Sequence, residues 1–267
     1  MGINKRLIGA GAAGGGFVNS ENFKAVIYTG DGGNQAVTGV NFQPDMIWIK
    51  ERDGVDAPRL MDVTRGVNSR LFPSETNGAS VVSGTLNSFD EDGFTVGSAP
   101  EVNENGKLYI AWCWKAGGDD TDISSSSTGV SSASSSVNSE AGFSIIKYAT
   151  NSNNVVLPHG LNTTPKLAIV KRTDSSSDWF YYSTSVANKG RGFLNQVTDF
   201  DNSGVPTFND TNITFQSNDP FSSGSSGMVY TFADIEGYSK VGTYDGTGSP
   251  LLVETGFEPS FILIRST

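Results

Sequence analysis

The sequence predicts an all-β protein: tandem β-sandwich repeats behind an extended N-terminal arm. Three observations predict it. One phrase recurs three times, the phrase reads as strands, and helical periodicity is nearly missing. The copies are FKAVIYTGDGGNQAVTGVNFQPDMIWIK at Phe23–Lys50, FSIIKYATNSNNVVLPHGLNTTPKLAIVK at Phe143–Lys171 and YSKVGTYDGTGSPLLVETGFEPSFILIR at Tyr238–Arg265. Each has a Tyr (Tyr28, Tyr148, Tyr244), turn residues, a Gly, a Pro (Pro44, Pro165, Pro259) and, six residues later, Lys50, Lys171 or Arg265. The Tyr-to-Pro spacing is 16, 17 and 15 residues. A fixed order with varying loop length is what duplicated strands joined by turns give.

The elements follow in order. Residues 1–21 form a Gly/Ala-rich docking arm. In it Leu7 and Ile8 are the expected anchors, and Gly9, Gly11 and Gly14 let the backbone pass a narrow groove. The same glycines match the dinucleotide fingerprint G-x-G-x-x-G, but neither a strand nor a helix frames them. Repeat 1 spans 22–117. Its Pro44 cannot donate a ladder hydrogen bond, so it belongs just before a strand. After it Met46 and Trp48 fall on one face, Ile47 and Ile49 on the other. Leu167/Ile169 and Ala168/Val170, then Phe261/Leu263 and Ile262/Ile264, repeat the pattern. Both faces are apolar, as in a strand covered on both sides, and the closing Lys or Arg is expected at solvent. TGDGGN and YDGTGS read as hairpin-type turns.

The second half of the unit recurs more weakly. FDEDGFTVGS at Phe89–Ser98 answers FNDTNITFQS at Phe208–Ser217, and GKLYIAWCWKAGG at Gly106–Gly118 answers GMVYTFADIEG at Gly227–Gly237, with Tyr109 matched to Tyr230. Residues 118–140 are a Ser-rich linker, flexible by itself. Arm and linker are expected to be held by neighbouring chains. Repeat 2 spans 141–237, and residues 238–267 are the first hairpin of a truncated repeat 3.

The 267 residues carry a formal charge of −10, with a pI near 4.5. Such a chain lacks the basic footprint of a nucleic-acid binder and is repelled by anionic membrane. No stretch approaches the ~18 apolar residues of a membrane span, so no insertion is expected. The N-terminus does not read as a signal peptide, which implies synthesis in a cytosol. Glycine is about 12% of the chain (32 residues) against roughly 7% on average, so much of the length goes into turns. The single cysteine, Cys113, reads as a small buried hydrophobe and excludes a disulfide framework.

Candidate chemistry is sparse. Asp199, Asp201, Ser203, Gly204 and Asp210 fall at the spacing of a calcium loop. Yet the last position is Asp rather than Glu, Pro206 interrupts, and no helices flank it. DEDG at Asp90–Gly93 reads as a turn. His159, the single histidine, has no nucleophile elbow to serve and reads as a loop residue. No catalytic, cofactor or metal set is assigned. In DWFYYS, Trp179 and Tyr181 share one face and are candidate contacts for a ligand or another subunit; exposed rings there would stack on sugars.

The string YTGDGGNQAVTGVNFQPDMIWIKERDG, RLMDVTRG, SFDEDGFTVGS, YIAWCWKAGG, EAGFSIIKY and HGLNTTPKLAIVK resembles the repeat-domain virion structural proteins of tailed bacteriophages, marine phages and cyanophages above all. These are labelled tail fibre or head fibre. The resemblance implies a non-enzymatic virion component made in the bacterial host, in which further repeats follow the third. It implies other virion proteins as partners of the arm and a homo-oligomer, with trimers common in such fibres, although no heptad stalk is present here. Alternatives are a capsid decoration protein and a host-adsorption module for surface glycans; a depolymerase ranks last.

Overall fold

Alternating apolar residues between Gly, Asn and Pro turns give short antiparallel strands throughout. A computed structural model describes residues 19–186, 190–199, 201–216 and 220–266. The first unit holds β1 (Phe23–Thr29), β2 (Gln35–Thr38), β3 (Met46–Glu51), β4 (Arg59–Asp62), β5 (Ser69–Arg70), β6 (Ser80–Val81), β7 (Leu86–Asp90), β8 (Gly93–Val96), the single helical turn α1 (Pro100–Asn103) and β9 (Leu108–Trp114). The second unit holds β10 (Thr121–Asp122), β11 (Val130–Asn138), β12 (Phe143–Thr150), β13 (Asn154–Pro158), β14 (Leu167–Arg172), β15 (Trp179–Ser183), β16 (Arg191–Phe193), β17 (Thr207–Phe208), β18 (Asn212–Gln216) and β19 (Ser226–Phe232).

In the first unit a sheet of order β1-β9-β3-β4 packs on a sheet of order β2-β8-β7. In the second a seven-stranded sheet, β10-β11-β12-β19-β14-β15-β16, packs on β13-β18-β17. The central four strands of the larger sheets correspond: β1, β9, β3, β4 and β12, β19, β14, β15. Ile47, Ile49, Tyr109, Ala111 and Cys113 meet Val37, Phe94 and Val96 in the first core. Ile146, Ala168, Val170, Phe180 and Val229 meet Val155, Ile213 and Phe215 in the second. Fully burying each large aliphatic or aromatic side chain is worth ~1.5–3 kcal/mol.

Both units turn in the same way ahead of their Pro-led strand. Gly39 and Asn41 have φ of 84° and 71°; Gly160 and Asn162 have 71° and 58°. Only Gly and, at small cost, Asn accept that left-handed region.

Four expectations are corrected. TGDGGN does not close a hairpin: β1 pairs with β9 and β2 with β8, so the turn is a corner between two sheets. The Ser-rich 118–140 stretch is not a free linker. Its β11 pairs along β12. Small hydroxyls make this possible by satisfying nearby backbone: Ser136 Oγ donates to Gly118 O at 2.7 Å and accepts from Gly117 N at 2.9 Å. The second-half alignment shifts by three residues. Phe23 pairs with Trp114 and Phe143 with Phe232, so Trp112 corresponds to Tyr230 and Tyr109 to Gly227. Finally, residues 240–266 contain no strand, so the third phrase forms no hairpin here. The arm residues Leu7, Ile8, Gly9, Gly11 and Gly14 lie outside the described residues.

The body also closes on itself. Asn19 Nδ2 donates to Gly237 O at 2.8 Å, joining the start of the first unit to the end of the second.

Candidate functional site

The most elaborate feature is the face between the units. A strand apolar on both sides has two surfaces to bury. The inner ones make the two cores; the outer ones meet each other. Met46, Leu60, Leu71 and Trp114 of the first unit pack with Phe143, Ile145, Leu167, Ile169, Trp179, Met228 and Tyr230 of the second. The result is four stacked sheets.

Polar pins cross this apolar face. Asp62, at the end of β4, is fully buried. Its carboxylate accepts Arg65 Nε at 2.7 Å, Thr64 Oγ1 at 2.7 Å, Arg65 N at 3.1 Å and, from the other unit, Tyr230 Oη at 2.7 Å. Arg65 also donates to Leu60 O and Ser69 O. Burial works against its charge, but the adjacent Asp62 outweighs burial and raises its pKa. Burial and the Asp62 charge hold the Tyr230 phenol well above its usual range.

A second pin corrects the expectation that the Lys closing each phrase reaches solvent. Lys50 is half-buried, and Lys171 is fully buried. Lys171 Nζ donates to Thr76 O of the first unit at 2.9 Å and Ser177 O at 2.6 Å. Burial pushes its pKa down to about 8. The same loop adds Ser177 N to Thr76 O at 2.8 Å and Ala79 N to Thr173 O at 2.9 Å.

Trp179 belongs to this face. It is 1% exposed, and its Nε1 donates to Phe72 O at 2.8 Å. A ring so enclosed cannot serve as a sugar platform. Tyr181 is half-buried beside it on the same cluster. Beyond them Phe23, Trp48, Trp112 and Trp114 form an aromatic patch, and Phe261 of the C-terminal segment sits on it. Ring centroids lie 6.2, 6.4, 5.6 and 5.3 Å away respectively.

The other candidates are spent on local structure. Asp201 is bound by Arg191 Nε and a second guanidinium nitrogen at 2.9 and 2.6 Å and by Ser203 N. Asp210 accepts from the Thr164 hydroxyl. No group of three His, Cys, Asp or Glu among the described residues converges for a metal. His159 is fully buried. Its Nε2 donates to Asn209 O at 2.9 Å and its Nδ1 accepts Leu161 N at 3.1 Å, and burial lowers its pKa. Asp92, in the β7–β8 turn, does the matching work in the first unit, accepting Gly39 N and Asn41 N at 3.1 and 2.6 Å. Cys113 is fully buried, its thiol pKa raised by burial. Sequence reading missed Asp62, Arg65 and Lys171. The one available signal was RLMDVTRG, which sets charged residues in an otherwise apolar strand run.

Residues 18–267 match the family described as Domain of unknown function (DUF7483). The chain belongs to that family. The DUF7483 match covers both units, their shared face and the C-terminal segment. No curated protein and no solved structure matches the chain.

Proposed function

We propose that this DUF7483 chain is a structural protein of a bacteriophage virion: a fibre of tandem β-sandwich repeats whose N-terminal arm attaches to the tail or head of the particle. One observation carries the reading. The motifs behind the phage resemblance are spent on architecture. RLMDVTRG supplies the buried Asp62–Arg65 pin, YIAWCWK the central strand β9, and HGLNTTPK the left-handed turn sealed by His159. Matching strand orders and matching Gly/Asn turns support the duplication. In this reading the arm, with Leu7, Ile8, Gly9, Gly11 and Gly14, docks on another virion protein, and the chains form a homo-oligomer.

The test is particle incorporation. Phage carrying a deletion of residues 1–16 should yield particles that lack this protein by mass spectrometry, while the deleted chain still folds as β-structure. Incorporation at the wild-type level would sink the proposal.

A further inference from the structure

The third phrase, residues 238–265, repeats the first half of each unit, yet it contains no strand. The topology of the two complete units explains why. In neither does the first strand pair with the Pro-led strand. β9 lies between β1 and β3, and β19 lies between β12 and β14. The middle strand comes from the end of the unit. The third phrase has both flanks and no middle.

Burial tells the same story. Pro259 aligns Ile262 and Ile264 with Ile47 and Ile49, and with Ala168 and Val170. Those four are at most 1% exposed and face the unit cores; Ile262 and Ile264 are 66% and 65% exposed. On the opposite face, Phe261 aligns with Met46 and Leu167. All three join the cluster between units. The corner is also already set: Gly256 has φ 88°, as Gly39 and Gly160 have 84° and 71°. One face and the turn are in place, and the face that needs a sheet is bare.

We infer that residues 238–265 are a strand acceptor, completed when another polypeptide chain inserts a β-strand between the Val241–Tyr244 and Phe261–Arg265 segments. The inference rests on the repeat reading above. The two strands that do this job within the chain define the occupant. LYIAWCW and SGMVYTF are each seven residues, free of charge and of proline, with apolar side chains on both faces. The insert gains main-chain hydrogen bonds on both edges and covers Ile262 and Ile264.

Hydrogen exchange on the full chain, with a synthetic peptide of sequence SGMVYTFADIEG, tests this. Saturating peptide should slow exchange across 238–266 by ~10-fold or more, and a scrambled peptide should not. The double variant I262D/I264D, altering exposed residues only, should lose the effect with the rest of the map unchanged. Unchanged exchange at saturation overturns the inference. So does protection in the free chain, or protection that appears on concentrating the chain alone, which assigns the segment to a second copy. The same map separates the premises. β9 and β19, bonded on both sides, should be among the slowest to exchange. If they are not, the repeat reading fails; if they are and 238–266 stays fast, only the strand acceptor fails.

Discussion

The two units share a strand order but differ in what they place at matching positions. The strand beside the first strand carries Tyr109 in the first unit and Gly227 in the second. Tyr109 stacks on Tyr28, centroids 5.1 Å apart. Gly227 leaves its space to Tyr148, whose ring stacks instead on Phe221 at 4.6 Å. A Cβ at Gly227 would lie 2.4 Å from the Tyr148 hydroxyl. The left-handed turn is closed by the Asp92 carboxylate in one unit and the buried His159 imidazole in the other. The lesson is that backbone requirements stay fixed, while side chains that meet them are exchanged in groups.

The largest test of that contrast is at β4 and β15. Asp62 and Ser183 hold equivalent places, opposite Met46 and Leu167. Asp62→Ala should cost ~3–5 kcal/mol because Arg65 is left buried without its partner. Ser183→Ala should cost under about 1 kcal/mol. Urea denaturation of both variants measures the difference, and equal losses would remove the first unit's special role in the joint. Trp179→Ala comes next, at about 3 kcal/mol or more from cavity and lost hydrogen bond. Its effect should appear as destabilisation by calorimetry.

A smaller effect is expected from pH. The Lys171 ammonium has a folded pKa near 8 against an ordinary 10.5, so the unfolded chain binds more protons between those values. Stability attributable to this residue therefore rises with pH, by roughly 1 kcal/mol from about pH 8 to 9.5. Above that range unfolded tyrosines, ordinarily at 10.0, ionise and reverse the trend for buried phenols such as Tyr230. Lys171→Met should flatten the rise in denaturation midpoints. His159 gives the same sign lower down: its depressed pKa makes stability fall as pH drops below about 6.5, and His159→Gln should weaken that slope. The smallest effect is also the sharpest comparison. Asn41→Ala and Asn162→Ala should each cost ~1 kcal/mol, while Asn→Gly at either site should be nearly neutral. Unequal losses would mean the two turns are not equivalent.

Much of this was legible in the sequence. Pro44 and Pro165 marked strand starts, and the alternation after them identified both buried faces. What could not be read was pairing. A phrase with two strands and a Gly-rich turn reads as a hairpin, because adjacency in sequence is the only guide. Here each strand joins a different sheet, and the middle strand arrives about 85 residues later from Leu108–Trp114. The Ser-rich β11 was hidden because composition says nothing of a waiting edge at β12. Trp179 was correctly set on one face with Tyr181, but only tertiary structure reveals that the first unit covers it. The joint built by Asp62, Arg65 and Tyr230 spans 168 positions in sequence, beyond the reach of any local pattern.

The hydrogen bond from Asn19 to Gly237 bears on mechanics. The chain enters and leaves the two-unit body at one point. Tension applied to the arm on one side and to residues 238–266 on the other is carried across that single contact, and none of it need shear the sheets. The body hangs from the line of force like a pendant rather than sitting in it like a bead. A pull would part the clasp first and leave all four layers folded.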